Sequence, residues 1–178
     1  PDLVWIKTRS HSADHALLDS VRGPHKQVRS NHNADEYDSY SDILSSFDSD
    51  GFTLGADTNV TNVNTNARTY VAWCWKAGGE PSANNTENAG SSQTAGSAKI
   101  DGANGSSANG SIAVTRASAN TTAGFSIITY TGTGSNGTVP HFLGVAPEFI
   151  CVKKRGNGDD STDRHWGVYH VSEGNTEY

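Results

Sequence analysis

The hydrophobic residues of this chain fall in short runs that are separated by polar segments rich in Gly, Ser, Asn and Thr. The clearest runs are residues 1–9, 16–19, 69–76 and 124–131. Short runs with β-branched and aromatic residues, bounded by Gly and Asn, are typical of strands, and few windows have the apolar spacing of an amphipathic helix. The pattern therefore predicts an all-β fold, with an antiparallel two-sheet sandwich or jelly roll.

One strand pattern occurs twice. Residues 1–9 and 147–155 both read as a proline, an acid, four apolar residues, a lysine, a variable residue and an arginine. A weaker match aligns residues 15–18 with 165–168. The number of residues between matching positions increases along the repeat, as expected when the loops between strands change length. The repeat predicts that the chain is a segment of a longer array of tandem modules.

The individual runs predict particular elements. Residues 1–9 are apolar on both faces, which favours a central strand, and residues 69–76 favour a buried strand. Residues 43–54 form two β-prone runs around Asp50-Gly51, which is a strong hairpin signal. Residues 25–41 are polar and indicate a loop or a weak strand.

The composition divides the chain into three parts. Residues 1–79 are predicted to be a β-sandwich module, the C-terminal part of one repeat. Residues 80–123 are rich in Ser, Asn and Gly and indicate a linker or insertion, with a short strand near 111–116. Residues 124–178 are predicted to begin the next repeat, or to supply strands that complete the first module.

Charge and cysteine content limit the functional classes. A net charge of −6 offers no basic surface for nucleic acid, and no apolar run is long enough for insertion into a membrane. The two cysteines, Cys74 and Cys151, lack metal-ligand spacing, and whether they pair is open. Cys151 occupies the repeat position of Trp5, which favours a packing role.

No motif in the sequence indicates catalysis, a cofactor or a bound metal. The chain has no HExxH, CxxC or GxSxG motif, so we expect no enzyme and no cofactor. Residues 132–137 match GxGxxG but lead into Pro140 where a dinucleotide site needs a helix, so they predict a turn. Asp48 and Asp50 are weak calcium candidates, because the remaining ligands of a calcium loop are missing and a hairpin turn explains them.

The tryptophans are the best candidates for ligand contact. Trp73 and Trp75 share one face of their predicted strand, opposite Cys74. If that face is exposed, the two indoles form a platform on which sugar rings can stack; otherwise they belong to the core. Trp166, next to His165 near a polar loop, is the candidate that the sequence most favours as exposed. The predicted carbohydrate-binding residues are therefore Trp166, His165, Trp73 and Trp75.

Several long motifs are similar to those of a known group of proteins. They are residues 1–9, 19–23, 46–55, 70–79 and 123–127. These segments resemble tandem modules of tail-fibre-like structural proteins of marine bacteriophages, which look related to concanavalin A-like lectin/glucanase sandwiches. The resemblance implies a two-sheet β-sandwich in an extracellular appendage of a virion, and it carries no catalytic residues.

Together these observations predict a non-enzymatic structural module of a phage tail fibre or similar virion appendage, which could contact host surface glycans. The expected partners are other copies of the same protein, other appendage proteins and host surface polysaccharide, with no nucleic acid and no membrane insertion. A carbohydrate-binding lectin domain is the alternative. A glycan depolymerase is a third possibility, which would need paired carboxylates in a cleft.

Overall fold

A computed structural model of the protein describes residues 1–38, 42–57, 63–86, 93–105, 110–156 and 165–173. This part of the chain is built from strands, with one short 3-10 turn at Val171–Glu173 and no α-helix. The strands are β1 (Leu3–Thr8), β2 (Ala16–Asp19), β3 (Gly23–Val28), β4 (Leu44–Asp48), β5 (Gly51–Leu54), β6 (Tyr70–Trp75), β7 (Ala98–Ile100), β8 (Ala103–Gly105), β9 (Val114–Asn120), β10 (Phe125–Tyr130), β11 (Phe149–Lys153) and β12 (Trp166–His170). The all-β, mainly antiparallel fold that the sequence predicts is confirmed.

The first sheet has the strand order β3-β2-β1-β6, and all of its pairs are antiparallel. As predicted, β1 is a central strand. Its side chains alternate, so that Val4, Ile6 and Thr8 are buried on one face while Trp5 and Lys7 lie on the other.

The buried face of this sheet packs against a second layer. That layer contains the β4–β5 hairpin, which turns between Asp48 and Gly51 as predicted. Val4, Leu18 and Leu44 are fully buried between the layers, and Phe47 and Phe52 pack against them. A sheet covered on one face by a hairpin gives the two-layer packing that is compatible with a sandwich.

Residues 25–41, which the sequence indicates as a loop or a weak strand, begin within strand β3 (Gly23–Val28). The prediction that residues 69–76 form a buried strand is wrong. Strand β6 is an edge strand that pairs only with β1 among the described residues, and Ala72, Trp73 and Cys74 are exposed. Apolar composition alone does not distinguish a buried strand from an edge strand whose aromatic face is open.

The second sheet has the order β10-β9-β7-β8, with β7 and β9 running parallel. Strands β7 and β8 lie inside the stretch that the sequence indicates as a linker or insertion, so part of that stretch is ordered sheet. The strand predicted near 111–116 is found at Val114–Asn120. The core of this sheet is small, and its buried residues are Ala98, Val114 and Ala117. Because alanine side chains are small, they do not form an apolar run that would predict a strand from the sequence.

A tight junction at Gly78 connects the two sheets. The Gly78 amide donates to Ser118 Oγ at 2.9 Å, and Ser118 Oγ donates to the Gly79 carbonyl at 2.7 Å. A Cβ atom on Gly78 would lie 2.2 Å from the Lys99 carbonyl oxygen and 2.5 Å from that of Ala119. Both obstacles are backbone, so the junction accepts only glycine.

We therefore expect Gly78→Ala to destabilise the protein by about 1–3 kcal/mol, the usual result of overpacking against rigid neighbours. Urea unfolding of the variant measures this difference. Gly132→Ala is the matched control, because a Cβ atom there meets nothing within 4 Å. Equal stability of the two variants would contradict the packing seen at this junction.

The repeated strand forms the same hairpin twice, but with an offset that corrects the sequence alignment. In the first copy Ile6 lies opposite Ala16, and in the second Val152 lies opposite Gly167. Ala16 therefore corresponds to Gly167, whereas the sequence alignment matched it to Trp166. The difference matters because a slip of one residue moves every side chain to the other face of a strand.

The β11–β12 hairpin is attached to the loop that follows β3. Arg155 donates from Nε and Nη2 to the two carboxylate oxygens of Glu36, at 2.9 and 2.8 Å. The Glu36 amide donates to the Arg155 carbonyl at 2.7 Å, and Trp166 Nε1 donates to the Arg29 carbonyl at 2.9 Å. These bonds fix the base of the hairpin to the first sheet.

Candidate functional site

The face of the first sheet opposite its core carries a row of aromatic rings. Strand β1 contributes Trp5, and β6 contributes Trp73 and Trp75 from alternate positions on the same face. The pairing places Trp5 directly opposite Trp73. His15 and Phe125 extend the row at its two ends, and we call these five residues the aromatic face.

The rings of the aromatic face contact one another in sequence. The ring centroids of Trp5 and Trp73 are 5.5 Å apart at an angle of 58°, and those of Trp5 and Trp75 are 6.4 Å apart at 26°. Trp75 stacks on Phe125 of the second sheet, with centroids 6.2 Å apart and an angle of 24°. Tilted and offset contacts of this kind are the favoured arrangements of aromatic pairs. The row therefore forms one rigid surface that continues across both sheets.

Trp73 is the most open of these indoles. It is 45% exposed, whereas Trp5, Trp75 and Phe125 are partly buried. The ring of Trp5 packs against Trp73, and nearly half of the Trp73 side chain is open to solvent. An indole held in place but open on one side can bind a flat apolar surface with little loss of side-chain entropy.

A histidine at one end fixes the orientation of Trp5. The Trp5 Nε1–H group donates to His15 Nδ1 at 2.8 Å, so the ring proton of neutral His15 is on Nε2. Partial burial lowers the pKa of His15, the positive charge of Lys7 lowers it further, and Asp14 opposes this shift. Asn31 positions the segment by accepting a hydrogen bond from the His15 amide at 2.9 Å. The aromatic face thus ends in a neutral imidazole with an N–H donor.

This lowered pKa leads to a pH dependence. The unfolded chain protonates His15 near pH 6.5 and the folded chain only at lower pH, so the folded state binds fewer protons in between. The stability contributed by neutral His15 is therefore complete above pH 6.5 and is lost as pH falls through the folded pKa.

We expect the difference in unfolding free energy between the native chain and His15→Gln to shrink as pH falls from about 7.5 to about 5. The glutamine can still accept from Trp5 but does not titrate, which makes it the matched reference. Urea unfolding at each pH measures the difference. A difference that does not change with pH would show that His15 does not titrate in this range.

The structure separates the four predicted carbohydrate-binding residues. Trp73 and Trp75 lie together on the aromatic face, as their spacing predicts. Trp166 is half-buried at the base of the β11–β12 hairpin, where its N–H group is bound to Arg29, and His165 is exposed just before β12.

Sequence reasoning missed three members of the aromatic face, Trp5, His15 and Phe125. Alternation along β6 is a local signal, so it identifies Trp73 and Trp75. Pairing of Trp5 with Trp73 depends on contact between strands that are distant in the sequence, and no local pattern reports it. In the second copy of the repeat, Cys151 stands where the first has Trp5, so the described part of that copy lacks the ring that lies opposite Trp73 in the first.

The weak calcium candidates lie in a hairpin turn. Asp48 accepts hydrogen bonds from Ser46 Oγ at 2.7 Å and Thr53 Oγ1 at 2.8 Å, and these bonds lower its pKa. Asp50 lies at the turn between β4 and β5. Within the described residues, no three His, Cys, Asp or Glu side chains are grouped so that they could hold a metal ion. The two cysteines, Cys74 and Cys151, are exposed and unpaired with each other.

A cleft of about 460 Å³ lies at the junction of the two sheets, and its lining includes Asp2 and Asp101. Asp2 accepts from Ser20 Oγ and from the Ala77 amide, each at 2.8 Å. Asp101 accepts from the amide and the hydroxyl of Thr121, at 2.8 and 2.7 Å. Each oxygen of these two carboxylates therefore has a hydrogen bond within the fold.

Comparison with known proteins identifies a family. A family model described as a domain of unknown function, DUF7483, matches residues 1–101 and 85–178. The chain belongs to the DUF7483 family. Two matches in one chain fit a tandem arrangement of DUF7483 modules, in agreement with the repeated strand. No curated protein and no solved structure matches the chain.

Proposed function

We propose that this DUF7483 chain is a non-enzymatic module of an extracellular structural protein, and that it binds carbohydrate through the aromatic face. The observation that carries the proposal is the exposed ring of Trp73, supported by Trp5. Binding function is commonly placed on the open surface of a rigid β scaffold, where rings and loops are held in position.

The chemistry of the aromatic face suits sugars. A pyranose ring has an apolar face of C–H groups and a rim of hydroxyls, so it stacks on an indole and forms hydrogen bonds at its edge. His15 Nε2–H and the ammonium group of Lys7 provide donors close to Trp5. A flat apolar surface with a few polar groups that set orientation is the usual composition of a small-ligand site.

The structural role is supported by the tandem arrangement and by the surface chemistry. The chain is poor in charge and rich in Ser, Thr, Asn and Gly, and its family is matched twice. Placement in a phage tail fibre or similar virion appendage, with other copies or other appendage proteins as partners, rests on the resemblance described above. No helix in the described part of the chain is long and apolar enough to cross a membrane.

The engaged carboxylates favour binding over hydrolysis. A glycan depolymerase would need one carboxyl group as acid and another as base or nucleophile across the bound sugar. In the cleft between the sheets, both oxygens of Asp2 and of Asp101 accept hydrogen bonds from the protein. Such carboxylates hold strands and turns together, which accounts for both acids without a catalytic role.

The test is a binding assay on the whole chain with purified bacterial capsular polysaccharide and O-antigen, using dextran as the reference glycan. Tryptophan fluorescence reports binding, and a reducing-end assay on the same samples reports hydrolysis. We expect saturable binding without the release of reducing ends. Release of reducing ends would contradict the non-enzymatic proposal, and the absence of binding to all of these glycans would contradict the carbohydrate proposal.

A further inference from the structure

The β11–β12 hairpin exposes the same positions that its counterpart in the first sheet buries. Ile150 and Val152 correspond to Val4 and Ile6 by their places in the repeated hairpin. Val4 is 0% exposed and Ile6 is 3% exposed, whereas Ile150 and Val152 are each 42% exposed. Aliphatic side chains that form a core in one copy are therefore open to solvent in the other.

The two copies also differ in their hydrogen-bonded edges. Strand β1 is paired on both sides, with β2 and with β6. Strand β11 belongs to a two-stranded sheet in the described part of the chain, with β12 as its partner. The side of β11 that corresponds to the β6 side of β1 is thus an edge, and an apolar edge strand is a template for pairing with another strand.

We propose that the edge of β11 pairs antiparallel with a β6-type strand that another module of the DUF7483 family supplies by strand exchange, so that this strand pairs with β11 in place of its own β1. The first sheet provides the pattern for this pairing. There, β1 lies opposite β6 with Leu3 facing Trp75, Trp5 facing Trp73 and Thr8 facing Tyr70.

The same pairing defines a register on β11. Phe149 would face the position of Trp75, Cys151 the position of Trp73, and Val152 the position of Ala72. Ile150 and Val152 would then share one face with the alternate residues of the added strand, as Val4 and Ile6 do in the first sheet.

The hairpin is already held in place to receive a strand. Its base is fixed by the paired Arg155 and Glu36 side chains and by the bond from Trp166 to Arg29. A pre-organised edge binds with less loss of conformational freedom than a mobile one. Strand addition of this kind takes affinity from main-chain hydrogen bonds and specificity from alternate side chains. It would join modules end to end, and it does not depend on carbohydrate binding.

The register can be tested by disulfide trapping. The chain carries Cys74→Ser, so that Cys151 is its one thiol. The probe is a synthetic peptide with the sequence of residues 68–77 carrying Trp73→Cys and Cys74→Ser, which places its thiol opposite Cys151. Directly opposed residues in antiparallel strands have Cα atoms about 4.5–5.5 Å apart, within the range of a disulfide. Each peptide thiol is first activated as its 2-thiopyridyl disulfide, so that the Cys151 thiolate attacks the peptide sulfur and pyridine-2-thione leaves. The reaction is run at mildly alkaline pH, because partial shielding raises the pKa of the Cys151 thiol.

The control peptide keeps the natural sequence of residues 68–77, so its thiol is at position 74. In the proposed register this thiol lies opposite Ile150, on the face of the sheet away from Cys151. We expect the first peptide to form the mixed disulfide about tenfold faster, since pairing raises its effective concentration at Cys151. Val152→Lys in the chain should remove this advantage. Val145→Lys, at a 69% exposed site outside the hairpin, should preserve it.

Three outcomes would overturn the proposal. Equal rates for the two peptides would show that no registered strand forms at this edge. A faster reaction of the control peptide would show a different register. Self-association of the chain that is disrupted by Val152→Lys, and that the peptide cannot displace, would show that a second copy occupies the edge in some other pairing.

Discussion

Replacement of Trp73 by alanine should weaken binding of carbohydrate about 30-fold, which corresponds to about 2 kcal/mol. Trp73 is the most exposed indole of the aromatic face, and it stands directly opposite Trp5. Its removal takes away the open stacking surface and also the ring that Trp5 packs against. The fold should be little affected, because nearly half of the side chain already contacts solvent. Calorimetric titration with the glycan that binds the native chain measures the loss.

Two further variants show whether stacking is the cause. Trp73→Phe keeps an aromatic ring at the same position and should lose less affinity than Trp73→Ala. Trp166→Ala removes the tryptophan that lies outside the aromatic face and should leave affinity unchanged. If Trp166→Ala abolished binding while Trp73→Ala did not, the site would lie at the β11–β12 hairpin, as the sequence first indicated.

Replacement of Arg22 by alanine should destabilise the folded protein by about 3–5 kcal/mol, the usual cost of breaking a buried ion pair. The Arg22 side chain is 6% exposed, and its Nε contacts Asp19 at 2.5 Å while its Nη1 contacts Glu36 at 3.0 Å. It also donates to the carbonyl oxygens of Lys26 and Leu17. The alanine variant would leave two buried carboxylates without their common cation. Denaturant unfolding measures the difference.

Arg155→Ala is the matched control for Arg22→Ala. Arg155 also pairs with Glu36, but its side chain is 40% exposed, so we expect a loss of about 1 kcal/mol or less. If Arg22→Ala proves too unstable to purify, Arg22→Lys keeps the charge but loses the forked geometry, and it should fall between the two. Equal stability of Arg22→Ala and Arg155→Ala would contradict the buried network.

The pKa of Glu36 is consistent with this network. Burial alone would raise it, but hydrogen bonds and charge from Arg155 and Arg22 outweigh burial and lower it. The contribution of Glu36 to stability is therefore present above its unfolded pKa of 4.5 and is lost as pH falls through the folded value. The network that joins the loop after β3 to the β11–β12 hairpin is thus complete at neutral pH.

Local patterns in the sequence were enough to predict several elements of the fold. The apolar run at β1 and the Asp-Gly turn between β4 and β5 are short-range signals, and the structure confirms both. Strands β7 and β8 could not be predicted, because their burial depends on Ala98 and other small residues that fit only where strands approach closely. The one-residue error in aligning the second hairpin has a similar origin, since the register is set by pairing across strands.

The candidate site was predictable only in part. The spacing of Trp73 and Trp75 placed them on one face, but their exposure follows from the edge position of β6. The polar neighbours of Trp166 in the sequence indicate an exposed side chain, yet the bond from its indole to the Arg29 carbonyl makes it part of the attachment of the hairpin. Both differences arise from contacts between distant segments.

The most direct test of carbohydrate binding at the aromatic face is nitrogen-15 NMR of the indole N–H groups of the four tryptophans. The signals are followed while a polysaccharide that the chain has been shown to bind is added. We predict that the signals of Trp5, Trp73 and Trp75 shift together and saturate, while that of Trp166 stays in place. A shift of the Trp166 signal alone, or the absence of any shift under conditions of demonstrated binding, would contradict the account.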